Sequence, residues 1–416
     1  MRVTSKFVNT LVIAASVVML VGCVGKINKG EKMEQNFEKG TFGYDLNYLA
    51  EKDSLIILRS DDEQAQLIVS AKYQAKVFTS TAEGLDGKSL GFINYKFFDA
   101  GVIDEHMNGY GGENRLWLGP EGGKYSIFFA PGADQNVNNW HTPAPIDIEP
   151  WNILSSSLKE TTLSKNMSLR NYLGNVLNIA VSRKIKLKTT KQIQEDIGML
   201  LPGGVKSVAY STDNLITNTN DFEWTAATGT VCIWMLDMFN PSDSAVTIIP
   251  FIEGDDKKLG KIATTDYFGE IPSDRIKVTN GVLYFKTDGN FRSKIGMSAY
   301  RTTSIAGNYD PIAHKLTVVT FDIDKTQKYL NQEWNPAKDP LVGDALNAYN
   351  DGPLEDGSIM GPFFELESSS QAAFLQPGET LSHLHNVYHF TGDEASLSVI
   401  AEKLLGVKLE VVKTVF

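Results

Sequence analysis

Apolar positions along this chain come in short blocks that alternate with polar ones or run four to six together. "AQLIVSAKYQAKVFTST", "KYSIFFAPG", "VCIWMLDMF", "AVTIIPFIEG", "GVLYFKTDG" and "KLTVVTFDID" are rich in β-branched and aromatic residues. Each is bounded by Gly, Pro, Asn or Asp, and each predicts a strand. Helix signals are fewer. "KQIQEDIGMLL" (191–201) predicts a short helix stopped by Pro202, Gly203 and Gly204. Near the C-terminus, Thr391 with Glu394 reads as a capping box, and Leu397, Ile400, Ala401 and Leu404 form an apolar stripe that ends at Gly406. "VKLEVVK" then reads as a return to strand. The pattern predicts a mainly β chain with a few short edge helices.

The start of the chain breaks this pattern. Arg2 and Lys6 precede an apolar run from Phe7 to Val21, which is too short for a membrane span and fits a secretory signal. The run ends in Leu20-Val21-Gly22-Cys23, which resembles a bacterial lipobox; a plain secretory signal is the alternative. The resemblance implies a signal peptide over 1–22, lipidation of Cys23, a polar tether over 23–44 and a single domain over 45–416. A multiply acylated cysteine is a stable anchor, whereas one acyl chain holds only marginally. The expected location is the cell envelope, lipid-anchored in the outer membrane and facing the periplasm. Only Cys232 would remain besides the lipidated residue, so no intramolecular disulfide forms; in "TVCIWML" it reads as a buried thiol. The 416-residue chain carries 39 Lys and Arg against 50 Asp and Glu, a net charge of −11. An acidic chain without a basic cluster suits neither nucleic acid nor, lacking a Walker-type loop, a nucleotide.

Chemistry concentrates in "GPFFELESSSQAAFLQPGETLSHLHNVYHF" (361–390), which holds three of six histidines. With a period of two, Glu365 and Glu367 share one strand face, and His383, His385 and His389 share another. Pro377-Gly378 marks a tight turn between the two segments. Carboxylates and imidazoles on a sheet's inner face are expensive unless they line a wet cleft, so the two strands are expected to converge on one hollow. Three readings stay open: Glu365 and Glu367 as acid or base with His383 and His385 as partners; Glu365, His383, His385 and His389 as ligands of a divalent metal; or solvated side chains on an outer face. No cofactor is required by the first reading.

A second cluster, "MNGYGGENRLWLGPEGGKYSIFFAPG" (107–132), sets Asn114, Arg115, Trp117 and Glu121 among tight turns, and "NNWHTPAP" adds Trp140 and His141. Aromatic faces and fixed hydrogen-bonding side chains in this mixture suit a carbohydrate. In "KTDGNFRSKIGMSAYR", Arg292 and Lys294 would share a strand face, as a carboxylate site or as a solvated edge. Gly87-Lys88-Ser89-Leu90-Gly91 matches a hydrolase elbow, but "FINYKFF" after it reads as strand rather than helix, so it is taken as a turn.

"GGENRLWLGPEGGKYSIFF", "FRSKIGMSAYR" with "GNYD", and "YNDGP…GPFFELESSSQAAFLQPGE" together resemble an uncharacterised family of secreted bacterial lipoproteins, over nearly the whole mature chain. That family is similar to the galactose-mutarotase super-sandwich, which binds carbohydrate in an open cleft. The resemblance implies a galactose-mutarotase-like β-super-sandwich. It also implies a late glutamate, Glu365 or Glu367, as base, with Asn114 and Arg115 holding the sugar. The acid does not transfer, because a mutarotase histidine comes from mid-chain and these cluster after the glutamates. The expected protein is therefore an envelope lipoprotein with a carbohydrate cleft and mutarotase-, epimerase- or lyase-like chemistry. The alternatives are a non-catalytic glycan-binding module, or a cupin-like metal protein with a small closed barrel.

Overall fold

The computed structural model describes residues 25–354 and 356–416; the signal segment and Cys23 lie outside the described residues. Most of the short apolar blocks become strands, and these build three antiparallel sheets. A five-stranded sheet runs in the order Ser293–Ser298, Asp344–Asn350, Phe364–Ser369, Cys232–Phe239, Arg115–Gly119. Facing it, a ten-stranded sheet runs from the Ile276–Thr279 edge to the Asn152–Ser156 edge, with Lys315–Phe321, Thr380–Thr391, Lys206–Asn218 and Val176–Leu187 side by side at its centre. Neither sheet closes on itself, so the small closed barrel is not the architecture. The chain is mainly β with a few short helices, as its periodicity implies, and its two facing sheets form the super-sandwich that the resemblance implies.

The core lies between the two sheets because alternate residues of both point there. Leu116, Leu118, Ile233, Met235, Phe364 and Leu366 from the smaller sheet meet Ile179, Val181, Ile185, Tyr210 and Val387 from the larger. A third sheet, Lys26–Ile27, Leu55–Arg59, Gln66–Ser70 and Lys76–Thr81, carries its own core with the helix Phe42–Ala50. Its last strand extends the smaller sheet, since Val77 bridges Asn114.

Several local expectations change. The 23–44 tether is partly folded: Lys26 and Ile27 pair with Ile56 and Leu55, and Phe42 is fully buried. "KYSIFFAPG" is an irregular loop. Its apolar residues are consecutive rather than alternating, and Ile127, Phe128 and Phe129 are all buried. "FINYKFF" is not a strand, because Asn94 accepts from Phe97 N and caps the helix Tyr95–Ala100. The helix expected over 191–201 spans Thr190–Ile197 and stops at Gly198, in the left-handed region. The C-terminal helix Glu394–Leu405 is capped by Asp393 rather than Thr391, and Gly406 ends it. "VKLEVVK" holds the helix Leu409–Lys413, whose buried Leu409 and Val412 are three apart.

Candidate functional site

The strand Phe364–Ser369 pairs on both sides, so its alternation is copied across the sheet. Glu367 lies opposite Leu236 and Asn347, and Glu365 opposite Met238 and Tyr349. Trp117 pairs with Trp234, Arg115 with Leu236, and Lys294 with Tyr349. These residues occupy the face turned away from the ten-stranded sheet. There Arg115 forms an ion pair with Glu365. Lys294 Nζ lies 2.9 Å from Glu367 Oε2, which also accepts from Trp234 Nε1 at 2.8 Å. The two indoles meet edge to face at 5.8 Å, with the Arg115 guanidinium over Trp117 and the Lys294 ammonium over Trp234.

This floor is polar, nearly enclosed and not fully paired. Glu365 is 6% exposed and Glu367 1%. Glu367 Oε1 and Arg115 Nε are buried with no hydrogen-bond partner among the described residues. Burial, partly offset by Arg115, pushes the Glu365 carboxyl up to about 7. Glu121 rises to about 7 for the same reason, against the pull of Lys294. Burial works against the charge on Lys294, but Glu367 and Glu121 more than offset it, and its pKa is raised. Two carboxyls that titrate near neutrality beside a lysine-paired third are the equipment for proton transfer.

Aromatic contacts lead outward from this floor: Trp117 packs on Phe128, Phe128 on Trp140, and Trp140 on Trp334. On the other side a cavity of about 470 Å³ opens, lined by Tyr267, Gly296, Gln332, Glu333 and Asp344 among others. Gly296 pairs with Asn347 and Asn347 with Glu367, so the cavity wall is two strand spacings, roughly 10 Å, from the glutamate. Tyr267 lies between them, under Lys294 and bonded to Asp344 at 2.7 Å.

The histidines are elsewhere. His383, His385 and His389 share a face, as alternation requires, but it is the inner face of the ten-stranded sheet. They meet the opposite side of the strand that carries the glutamates: Ser368 Oγ lies 2.8 Å from both His383 Nε2 and His385 Nδ1. His385 Nε2 reaches Asp237 at 2.6 Å, and His389 reaches Glu113 at 3.1 Å. Asp237 is bonded to Asn114, and Asn114 to the fully buried Arg183. Hydrogen bonds within the protein, rather than water in a cleft, offset most of the burial of these groups, although Glu113 Oε2 and Arg183 Nε are left without a partner among the described residues. Burial, with His385 adding to it, lowers the His383 pKa to about 3, so the imidazole is neutral. Ser368, His385 and Asp237 stand in a Ser–His–Asp row, but the row is sealed between the two sheets, on the side of the smaller sheet away from the glutamates.

The expected convergence of Glu365 and Glu367 with His383 and His385 is therefore corrected: a sheet separates them. The metal set of Glu365, His383, His385 and His389 fails for the same reason, and among the described residues no three His, Cys, Asp or Glu side chains come together as a metal site. Asn114 is also corrected, since consecutive strand residues point to opposite faces and Arg115 takes the outer one. Arg115, Trp117 and Lys294 lie on the glutamate face, with Glu121 beside it. Arg292 sits at its margin, over Phe268 and 3.3 Å from Tyr349 Oη. Trp140 joins the aromatic series, whereas His141 is exposed and stacks on His106 at 4.7 Å. Trp234 and Tyr267, not expected from the sequence, also belong to this face. Trp234 was legible, because period two within "VCIWMLDMF" puts it on the face opposite Ile233 and Met235.

The chain belongs to a family of unknown function, DUF6786, whose model matches residues 40–416. No curated protein matches it in sequence. Among solved structures it is similar to the Slr1438 protein of Synechocystis sp. PCC 6803, at 13% identity and a TM-score of 0.48 over 81% of this chain and 96% of that one. It is also similar to a putative aldose 1-epimerase of Escherichia coli K12, at 13% and 0.46 over 80% and 98%. A third is a galactose mutarotase-like protein of Lactobacillus casei ATCC 334, at 11% and 0.45 over 80% and 99%.

Proposed function

We propose that this protein binds a carbohydrate on the outer face of its five-stranded sheet and moves protons on it through carboxylates alone. The observation that carries this reading is Glu367. One of its oxygens is fixed by Trp234 and Lys294, while the other is buried without a partner. A fixed carboxylate with a free oxygen accepts a sugar hydroxyl or a carbon-bound proton, and Trp117 and Trp234 frame the position of the ring. Glu365 or Glu121, half-protonated near pH 7, supplies the acid that the histidines cannot reach to supply. The chemistry this allows is mutarotation, epimerisation or elimination at a sugar carbon. The chain acts at the cell envelope, anchored through a lipid on Cys23.

The test is a glycan array followed by calorimetry on purified protein, with NMR of anomer exchange on each hit. Glu367→Gln keeps the shape and removes the charge. It is expected to weaken binding roughly ten- to a hundredfold, the loss of one charged hydrogen bond. A wild-type protein that binds no glycan, or a variant that binds equally well, removes the proposal.

A further inference from the structure

On the outer face Lys76 is a cation that forms no ion pair among the described residues. Val77 bridges Asn114, and both point into the interior, so the neighbouring Lys76 falls beside Arg115 on the outer face. A Cβ on Gly112 would lie 3.1 Å from Lys76 Cδ and 3.3 Å from Arg115 Cγ, so the two stems run side by side beneath that glycine. Lys76 is 2% exposed. Among the described residues no carboxylate lies within salt-bridge distance of its Nζ, and no hydrogen bond holds it. Its surroundings are the rings of Tyr110 at 5.7 Å and Phe78 at 6.0 Å. Asp147 acts on it only through its field: it forms no ion pair with Lys76, and its oxygens accept from Asn108 at 2.7 to 3.2 Å. Arg115 cannot help, because it carries the same charge and spends its own on Glu365.

The Lys76 ammonium lies beside the Arg115 guanidinium, and of the two carboxylates in their field Glu365 is paired with Arg115 while Asp147 forms no ion pair with Lys76, so the ammonium has no contact partner. Burial and Arg115 together lower the Lys76 pKa to about 7, as expected of an ammonium so placed. Arg115 Nε, buried and unpartnered, is a second donor at this corner. An incoming anion would satisfy both.

We propose that the corner between Lys76 and Arg115 receives an anionic substituent, a carboxylate or a sulfate ester, of the bound saccharide. The inference rests on the carbohydrate reading above and narrows it to acidic glycans. It also gives the N-terminal sheet a part in the site, since Lys76 comes from that sheet and not from the sandwich.

The experiment compares three probe sets on the same protein: oligogalacturonates, their methyl esters, and sulfated against unsulfated galactan oligomers. Wild type is expected to prefer the charged member of a pair at least tenfold, with a preference that shrinks as salt rises. Whichever pair shows it identifies the anion. Lys76→Met is expected to collapse the ratio between charged and masked ligand, and Lys76→Arg to restore part of it, with thermal melting confirming that both variants fold. Glycan binding with no preference for charge overturns this inference and leaves the carbohydrate reading standing. A preference that survives in the Met variant overturns the corner as its source. No glycan binding at all removes both.

Discussion

At the residue scale, Glu365 is one of three groups on or beside the outer face, with Glu121 and Lys76, whose pKa lies at about 7. Its carboxyl is raised from 4.5 to about 7, chiefly by burial against the opposing pull of Arg115. The folded state therefore holds a proton that the unfolded chain releases between those values. The stability this contributes is full below pH 4.5 and is lost as pH rises through 7. Neutral His383 works in the opposite sense, being lowered from 6.5 to about 3, so its contribution is present above 6.5 and fades as pH falls. Comparing wild type with Glu365→Gln cancels the histidine and isolates the glutamate. The stability advantage of wild type over the variant is expected to shrink between pH 5 and pH 8, by an amount on the order of a few kcal/mol. Urea denaturation at a series of pH values measures it; a gap that stays constant or widens would contradict the raised carboxyl.

At the scale of elements, the C-terminal helix gives a clean comparison. Asp393 accepts from Ser396 N at 2.9 Å and caps the helix, whereas Thr391 is the last residue of the preceding strand and its hydroxyl has no partner among the described residues. Asp393→Ala is expected to lower the midpoint of chemical denaturation clearly more than Thr391→Ala does. The reverse order would restore the cap that the sequence suggested. The slip of two residues is instructive, because Thr391 and Asp393 are both good capping residues and only the end of the strand decides between them. Most strands were legible for the same reason that the faces were, since period two is a local property, but "KYSIFFAPG", "FINYKFF" and "VKLEVVK" also read as strand and hold a loop and two helices. Which faces meet was not legible. The segment 370–379 reads as a hairpin turn, with Pro377-Gly378 and the expected left-handed Gly378, but it crosses from the smaller sheet to the larger one. That single crossover puts glutamates and histidines on opposite sides of a sheet, and no local pattern carries it. Asn114 and Arg115 illustrate the converse, since their separation onto two faces follows from alternation alone.

At the scale of the whole molecule, the N-terminal sheet links the proposed anchor to the proposed site. Ile57 N donates to Gly25 O at 2.6 Å, and Gly25 is buried so tightly that a Cβ would lie 2.4 Å from Ile57 O. Gly25, packed into the N-terminal sheet, is two residues from Cys23, a reach of at most about 7 Å. From the strand Lys26–Ile27 to the strand bearing Lys76 is three strand spacings, roughly 15 Å. A lipid on Cys23 would therefore hold the N-terminal sheet, and the Lys76 corner with it, close to the bilayer rather than on a long leash. Labelled palmitate is expected to enter wild type and not Cys23→Ser, which should appear in the soluble fraction. In proteoliposomes of the lipidated protein, a fluorophore at Lys29→Cys should be quenched by headgroup nitroxides. One at Val278→Cys, on the far edge of the ten-stranded sheet, should not. Equal quenching at both positions would mean that the domain tumbles freely about its anchor, and the docked Gly25 would then set no orientation.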